Sequence, residues 1–128
     1  MRSGCPARHP STRLQELADQ LRRSGSDYWA QQVSILRLET VAWTRQAQKQ
    51  PVAALETMRE AADREDAVEK LPVTPGPIIP AREQLGYLLL DQRRQHLALQ
   101  EFKTVLVFEP GRRGALLGAE LCRRNVLK

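Results

Sequence analysis

The chain has 128 residues, 41% of them hydrophobic and 27% charged, which is the makeup of one globular domain with a modest core. No apolar run approaches the roughly 20 residues that span a bilayer. The opening MRSGCPARHPSTR also lacks the apolar stretch of a secretory signal, so the expectation is a cytoplasmic protein with no membrane association. The net charge of +5 is divided into +4 over residues 1–50, −4 over 51–92 and +5 over 93–128, which excludes one continuous basic stripe.

Residues 1–10 read as a flexible N-terminus, and 11–128 as a single domain. Ser11 is a suitable N-cap for a first helix carrying Leu14, Leu17, Ala18 and Leu21 at helical spacing. Arg22 and Arg23 suit its last turn, and Ser24-Gly25 stops it. Asp27 is placed to cap a second helix running to about Gln48. Its apolar residues fall on two faces, Trp29, Val33 and Leu36 on one and Ile35, Leu38, Val41 and Ala42 on the other, so it is expected to pack on both sides. Pro51 suits a first helical turn, followed inward by Ala54, Leu55, Met58, Ala61 and Ala62. That third helix fades in the acidic DREDAVEK. After LPVTPGPIIP, Pro80 opens a fourth helix with Ala81, Leu85, Leu88 and Leu89 inward. DQRRQH turns the chain into a fifth, lined by Leu99, Phe102, Val105 and Leu106 and ended by Pro110-Gly111. A sixth holds Ala115, Leu116, Ala119 and Cys122. Nothing alternates with the period of a strand, so the fold class is all-α, about six short antiparallel helices.

The sequence also repeats. Ala98, Phe102, Val105 and Pro110 have the same spacing as Ala54, Met58, Ala61 and Asp66, 44 residues earlier, and Leu85-Gly86 falls 44 residues after Val41-Ala42. A small residue midway along each first helix lets its partner approach closely. On these residues the chain resembles the tetratricopeptide repeat (TPR) family, whose unit of about 34 residues follows a W…LG…Y…A…F…P pattern. REQLGYLLL with LALQEFKTVLVFEP supplies Leu85, Gly86, Ala98, Phe102 and Pro110 in register. The better repeat covers about 79–112, a degenerate one about 35–68 (with Leu38, Ala42, Met58 and Asp66 at the pattern positions), and 113–126 is similar to the first helix of a third. The resemblance implies an α-α superhelix. The proline segment PVTPGPIIPARE also resembles one in the last repeats of larger bacterial TPR proteins.

The 44-residue spacing exceeds the family unit by ten, which places a proline-rich insertion at about 69–78, between the two repeats. Pro72, Pro75, Pro77 and Pro80 stiffen it by fixing φ and biasing their predecessors to extended backbone. Its apolar Val73, Ile78 and Ile79 are expected to be covered, with the insertion ordered over the concave face near Trp43.

No arrangement for enzyme chemistry stands out. GxSxG, HExxH, P-loop and GxGxxG motifs are absent, and no Ser or Thr has a nearby His, so the expectation is no enzyme, no catalytic residues and no cofactor. Cys5 and Cys122 have no zinc-type spacing, His9 and His96 lack ligating neighbours, and no metal is expected. Cys122 reads as a buried thiol. Arg pairs at 22–23, 93–94, 112–113 and 123–124 raise the alternative of a basic helical protein associating with nucleic acid. Two Phe, two Trp and two Tyr are too few for a base-stacking platform, which makes that alternative the weaker one.

The TPR resemblance implies instead a non-enzymatic adaptor that holds a protein or peptide on the concave face formed by the first helices of its repeats. Carried onto this chain, that face comprises Glu39, Thr40, Trp43 and Gln46, then Glu83, Gln84, Tyr87 and Asp91, then Leu117, Leu121 and Arg124. Trp43 and Tyr87 occupy equivalent places, as a pair of peptide anchors or, for Trp43, as core under the insertion. Glu39 and Glu83 favour a basic or neutral ligand. The last helix also leaves Leu116, Leu117, Leu121, Val126 and Leu127 without obvious cover, and a homodimer through that end is expected.

Overall fold

A computed structural model describes residues 9–68 and 76–126. They form six α-helices: α1 (Pro10–Arg23), α2 (Asp27–Ala47), α3 (Pro51–Ala67), α4 (Ala81–Asp91), α5 (Gln95–Phe108) and α6 (Arg113–Val126). No strand occurs among the described residues, so the all-α reading holds. Each helix packs on its neighbours in the chain, and α2 also touches α4, as α4 touches α6. The helices thus make two layers, with α2, α4 and α6 in one and α1, α3 and α5 in the other.

The backbone itself repeats at the 44-residue spacing. α2 ends with Lys49 at φ 59°, and α4 ends with Arg93 at φ 61°. At the first end, Gln50 N–H donates to Arg45 O and Lys49 N–H to Gln46 O; at the second, Arg94 N–H donates to Leu89 O and Arg93 N–H to Leu90 O. These are Schellman turns, built from a left-handed residue and two backward hydrogen bonds. Gly25, at φ 78°, makes the same turn after α1. Glycine announced only that one, since Lys and Arg tolerate the left-handed region at some cost.

Helix starts differ from expectation in detail. α1 begins at Pro10, capped by the His9 ring, so Ser11 is inside the helix rather than its cap. Ser26, not Asp27, holds the cap position of α2 and makes no side-chain cap bond; Asp27 lies in the first turn, where its charge suits the helix dipole. α4 follows Pro80, which offers no capping side chain, and the buried Glu65 carboxylate of α3 accepts the Ala81 N–H at 3.0 Å instead. The acidic end of α3, where the sequence reads as a fading helix, therefore carries a structural carboxylate.

The centre of the molecule is a ring clamped between helices. Phe102 of α5 is fully buried. A Cβ added to Gly86 of α4 would lie 2.6 Å from that ring, and one added to Gly118 of α6 would also collide with it. Glycine at both places lets three helix axes close on one aromatic side chain. Tyr87 meets the same ring edge-on at 5.0 Å. Leu85, Leu88, Leu89, Ala98, Ala115 and Ala119 complete this part of the core, together with Cys122, whose thiol burial pushes up in pKa and keeps inert. At the outer seam Arg82 of α4 bridges Asp63 and Asp66 of α3 and Glu101 of α5. Burial opposes its charge, and the hydrogen bonds and charges of Glu101 and Asp66 outweigh that cost and raise its pKa.

Two expectations about burial fail. On the Trp29, Val33 and Leu36 face of α2, Val33 is half-buried but Trp29 and Leu36 stay 48% and 49% exposed. α4 is only 11 residues long against the 21 of α2, so it covers the second half of α2 and leaves the first half open on that side. Ile78 and Ile79, expected to be covered, are 93% and 49% exposed. Val73 and most of the insertion lie outside the described residues, as do residues 1–8, Leu127 and the Val126 side chain.

Candidate functional site

The residues assigned to a ligand face do come from one layer, yet most of them hold the layer together. Trp43 Nε1–H donates to Gln84 Oε1 at 2.9 Å, joining α2 to α4. Gln46 Nε2 donates to Asp91 Oδ2 at 2.6 Å and accepts from Gln92 through its oxygen at 3.0 Å. Thr40 bonds back to Leu36 O within its own helix. Tyr87 O–H donates to Gly114 O at 2.6 Å, joining α4 to α6. Trp43 and Tyr87 therefore turn to different partners rather than forming one aromatic pair. Trp43 is not core either, since it remains partly exposed.

Glu83 is buried, unlike the open acidic group that a ligand would meet. Its carboxylate accepts from Arg112 Nε and lies where a Cβ on Gly114 would fall. Arg112 reaches also to Glu109 and to the Ile78 carbonyl. This guanidinium pins the start of α6, the start of α4 and the end of the insertion together, and it is thereby withdrawn from the set of arginines open to phosphate. Leu117 and Leu121 on α6 stay exposed, and Arg124 pairs with Glu120 on the surface at 3.2 Å.

The open part of the layer is a groove of about 400 Å³ beside the first half of α2. Trp29, Leu36 and Glu39 line it from α2, Gly76–Ile79 from the opposite rim, Glu65 from α3 and Gln84 from α4. Tyr28 stands edge-on to Trp29 at 5.2 Å and steadies that wall. The Ile79 carbonyl accepts from Gln84 Nε2 at 3.2 Å, so the same amide that holds Trp43 also holds the rim. Glu39 is nearly buried at the base. Burial pushes its carboxyl up to about 7, with the Gln84 hydrogen bond opposing and the charge of Glu65 adding to the rise.

Of the groove, sequence reasoning anticipated Glu39 and Gln84 but missed Trp29, Leu36 and Glu65. A signal was present: Trp29, Leu36 and Trp43 recur every seven residues, with Gln32, Glu39 and Gln46 between them. That spacing draws one face of α2 on which large apolar and polar side chains alternate. Glu65 had no such signal, because its role depends on the start of α4, 16 residues later. Among the described residues no cluster of three metal-ligating side chains occurs, and no helix is long and apolar enough to cross a membrane. The chain matches no family model, no curated protein and no solved structure.

Proposed function

We propose that this chain is a non-enzymatic, TPR-like helical-repeat module that binds a protein or peptide along the face shared by α2, α4 and α6. The observation that carries the reading is the open groove beside α2, where half-exposed Trp29 and Leu36 face the Gly76–Ile79 rim above a nearly buried carboxyl. Large apolar side chains gathered in one concavity, with a few polar groups at its base, are the ingredients of peptide recognition. The repeated hairpin turns after α2 and α4 support the helical-repeat part of the reading.

A photo-crosslinking residue placed at Leu36, Trp43 or Leu117, and for comparison at Glu56 or Lys103 on the other layer, tests this. Peptide crosslinks concentrated at the first three sites are expected; equal yields at all five would overturn the reading. Retention of nucleic acid that disappears with rising salt, without any peptide capture, would favour the basic-protein alternative.

The dimer belongs to the same proposal. Leu116 and Leu117 are 49% and 56% exposed on a helix whose outer side meets no further helix among the described residues, and a two-fold contact between α6 helices would bury them. Light scattering at micromolar concentration should give a dimer mass that Leu116→Glu lowers to that of a monomer.

A further inference from the structure

We propose that the groove beside α2 takes a lysine or arginine side chain of a bound peptide, the aliphatic stem lying on Trp29, Leu36 and Ile79 and the cationic head at Glu39. This rests on the peptide-binding reading and specifies which side chain is read.

The groove is chemically divided along its depth. Trp29, Leu36, Ile78 and Ile79 are the exposed apolar residues of its mouth, while Glu39 and Glu65 are buried in its lining beside Ile35 and the Gln84 amide. Among the described residues that line it there is no Lys, Arg or His, although the chain as a whole carries a net charge of +5. The local sign is therefore opposite to the global one. An anion entering the groove would meet two carboxylates in a poorly solvated place. A purely apolar side chain would deepen the burial of Glu39 and give its oxygens nothing in return. A cationic head does the reverse, since a charge-assisted hydrogen bond to a carboxylate gains strength where water is excluded.

The rest of the groove matches the rest of such a side chain. Lysine and arginine carry a long apolar stem that packs on apolar surface while the head reaches a polar group. The open face of Trp29 adds an electrostatic attraction for a cation passing over it. A free divalent cation fits less well, because the described residues offer no third ligating group and the apolar wall would serve no purpose for it.

Two immobilised heptapeptide libraries decide the matter, both random at six positions, one with lysine and one with norleucine at the centre. The full-length protein is expected to retain on the lysine library at least tenfold more than on the norleucine library. That ratio should fall to near one in Glu39→Gln, whose melting curve confirms its fold. Trp29→Ala, a change at a half-exposed side chain, should weaken retention on both. A ratio near one in the unaltered protein, or a ratio that Glu39→Gln leaves in place, overturns the inference. Equal retention that Trp29→Ala abolishes would do so while leaving the peptide-binding reading standing. No retention on either library would remove both.

Discussion

The hairpins α2–α3 and α4–α5 share a backbone frame and solve the same packing problem differently. At the crossing of α4 and α5 a glycine, Gly86, faces a rigid ring, Phe102, and α6 closes the other side with Gly118. At the equivalent places in the first hairpin stand Ala42 and Met58, both fully buried. A methyl group gained on one helix is matched by a slimmer, flexible side chain on the other, so local volume is roughly conserved. The hairpins also differ in what lies beyond them. The second is enclosed by α3 and α6, whereas the first projects half of α2 past its neighbour and so carries the open groove. Repetition sets the frame, and departures from it create the site.

The sharpest test of that contrast removes the two side chains that fill the crossings. Phe102→Ala should cost about 3–5 kcal/mol, because a space walled by two glycine backbones cannot collapse. Met58→Ala should fall at the low end of about 2–5 kcal/mol, since alanine-rich surroundings can move in. Urea denaturation compares them, and equal losses would mean that the glycine clamp contributes nothing special.

The next effect concerns the fastening of α6 to the buried Glu83 of α4. Arg112→Ala leaves the Glu83 carboxylate buried without its guanidinium, and should destabilise the fold by about 3 kcal/mol. Glu83→Gln combined with Arg112→Met should recover much of that loss in the same thermal melts. A double variant as unstable as the single one would show that the cation does more than neutralise Glu83.

A smaller effect separates the groove from the enclosed hairpin through pH. The Glu39 carboxyl titrates in the fold at about 7 against an ordinary 4.5, so between these values the fold holds a proton that the unfolded chain has released. From this group, stability is greatest below the ordinary value, falls as pH rises, and levels off above about 7. Glu39→Gln should therefore match the unaltered protein at pH 4 and exceed it by about 1–2 kcal/mol at pH 8. Melting temperatures that differ equally at both pH values would contradict the buried carboxyl. The penalty is the counterpart of the proposed cation site, where a carboxyl costly to the free protein is useful to the complex.

The smallest effect probes what the hairpins share. Lys49→Gly and Arg93→Gly place glycine where the backbone is left-handed and should each stabilise by about 0.5–1 kcal/mol, seen as small rises in melting temperature. Similar gains at both positions would confirm that the turns are equivalent; opposite signs would break the repeat.

Helix number, order and approximate ends were legible in the chain because they rest on local chemistry. Apolar residues at 3.6-residue spacing, Pro51 and Pro80 at helix starts and Ser24-Gly25 at a stop act within a turn or two of themselves. The 44-residue repeat was equally legible, and with it the close approach at Gly86, since a small residue opposite a large one on neighbouring helices has one economical arrangement. Whether Trp29 and Leu36 would be covered, whether Glu83 would face solvent or Arg112, and whether Glu65 would end a helix or begin another depended on distant partners. α4 is short, so half of α2 stays open; Arg112 arrives from a turn 29 residues after Glu83; and Glu65 meets an N–H 16 residues ahead. Such contacts are decided by how helices stack, because a polar side chain takes whichever partner the packing brings within reach, and that information is not local to any stretch of sequence.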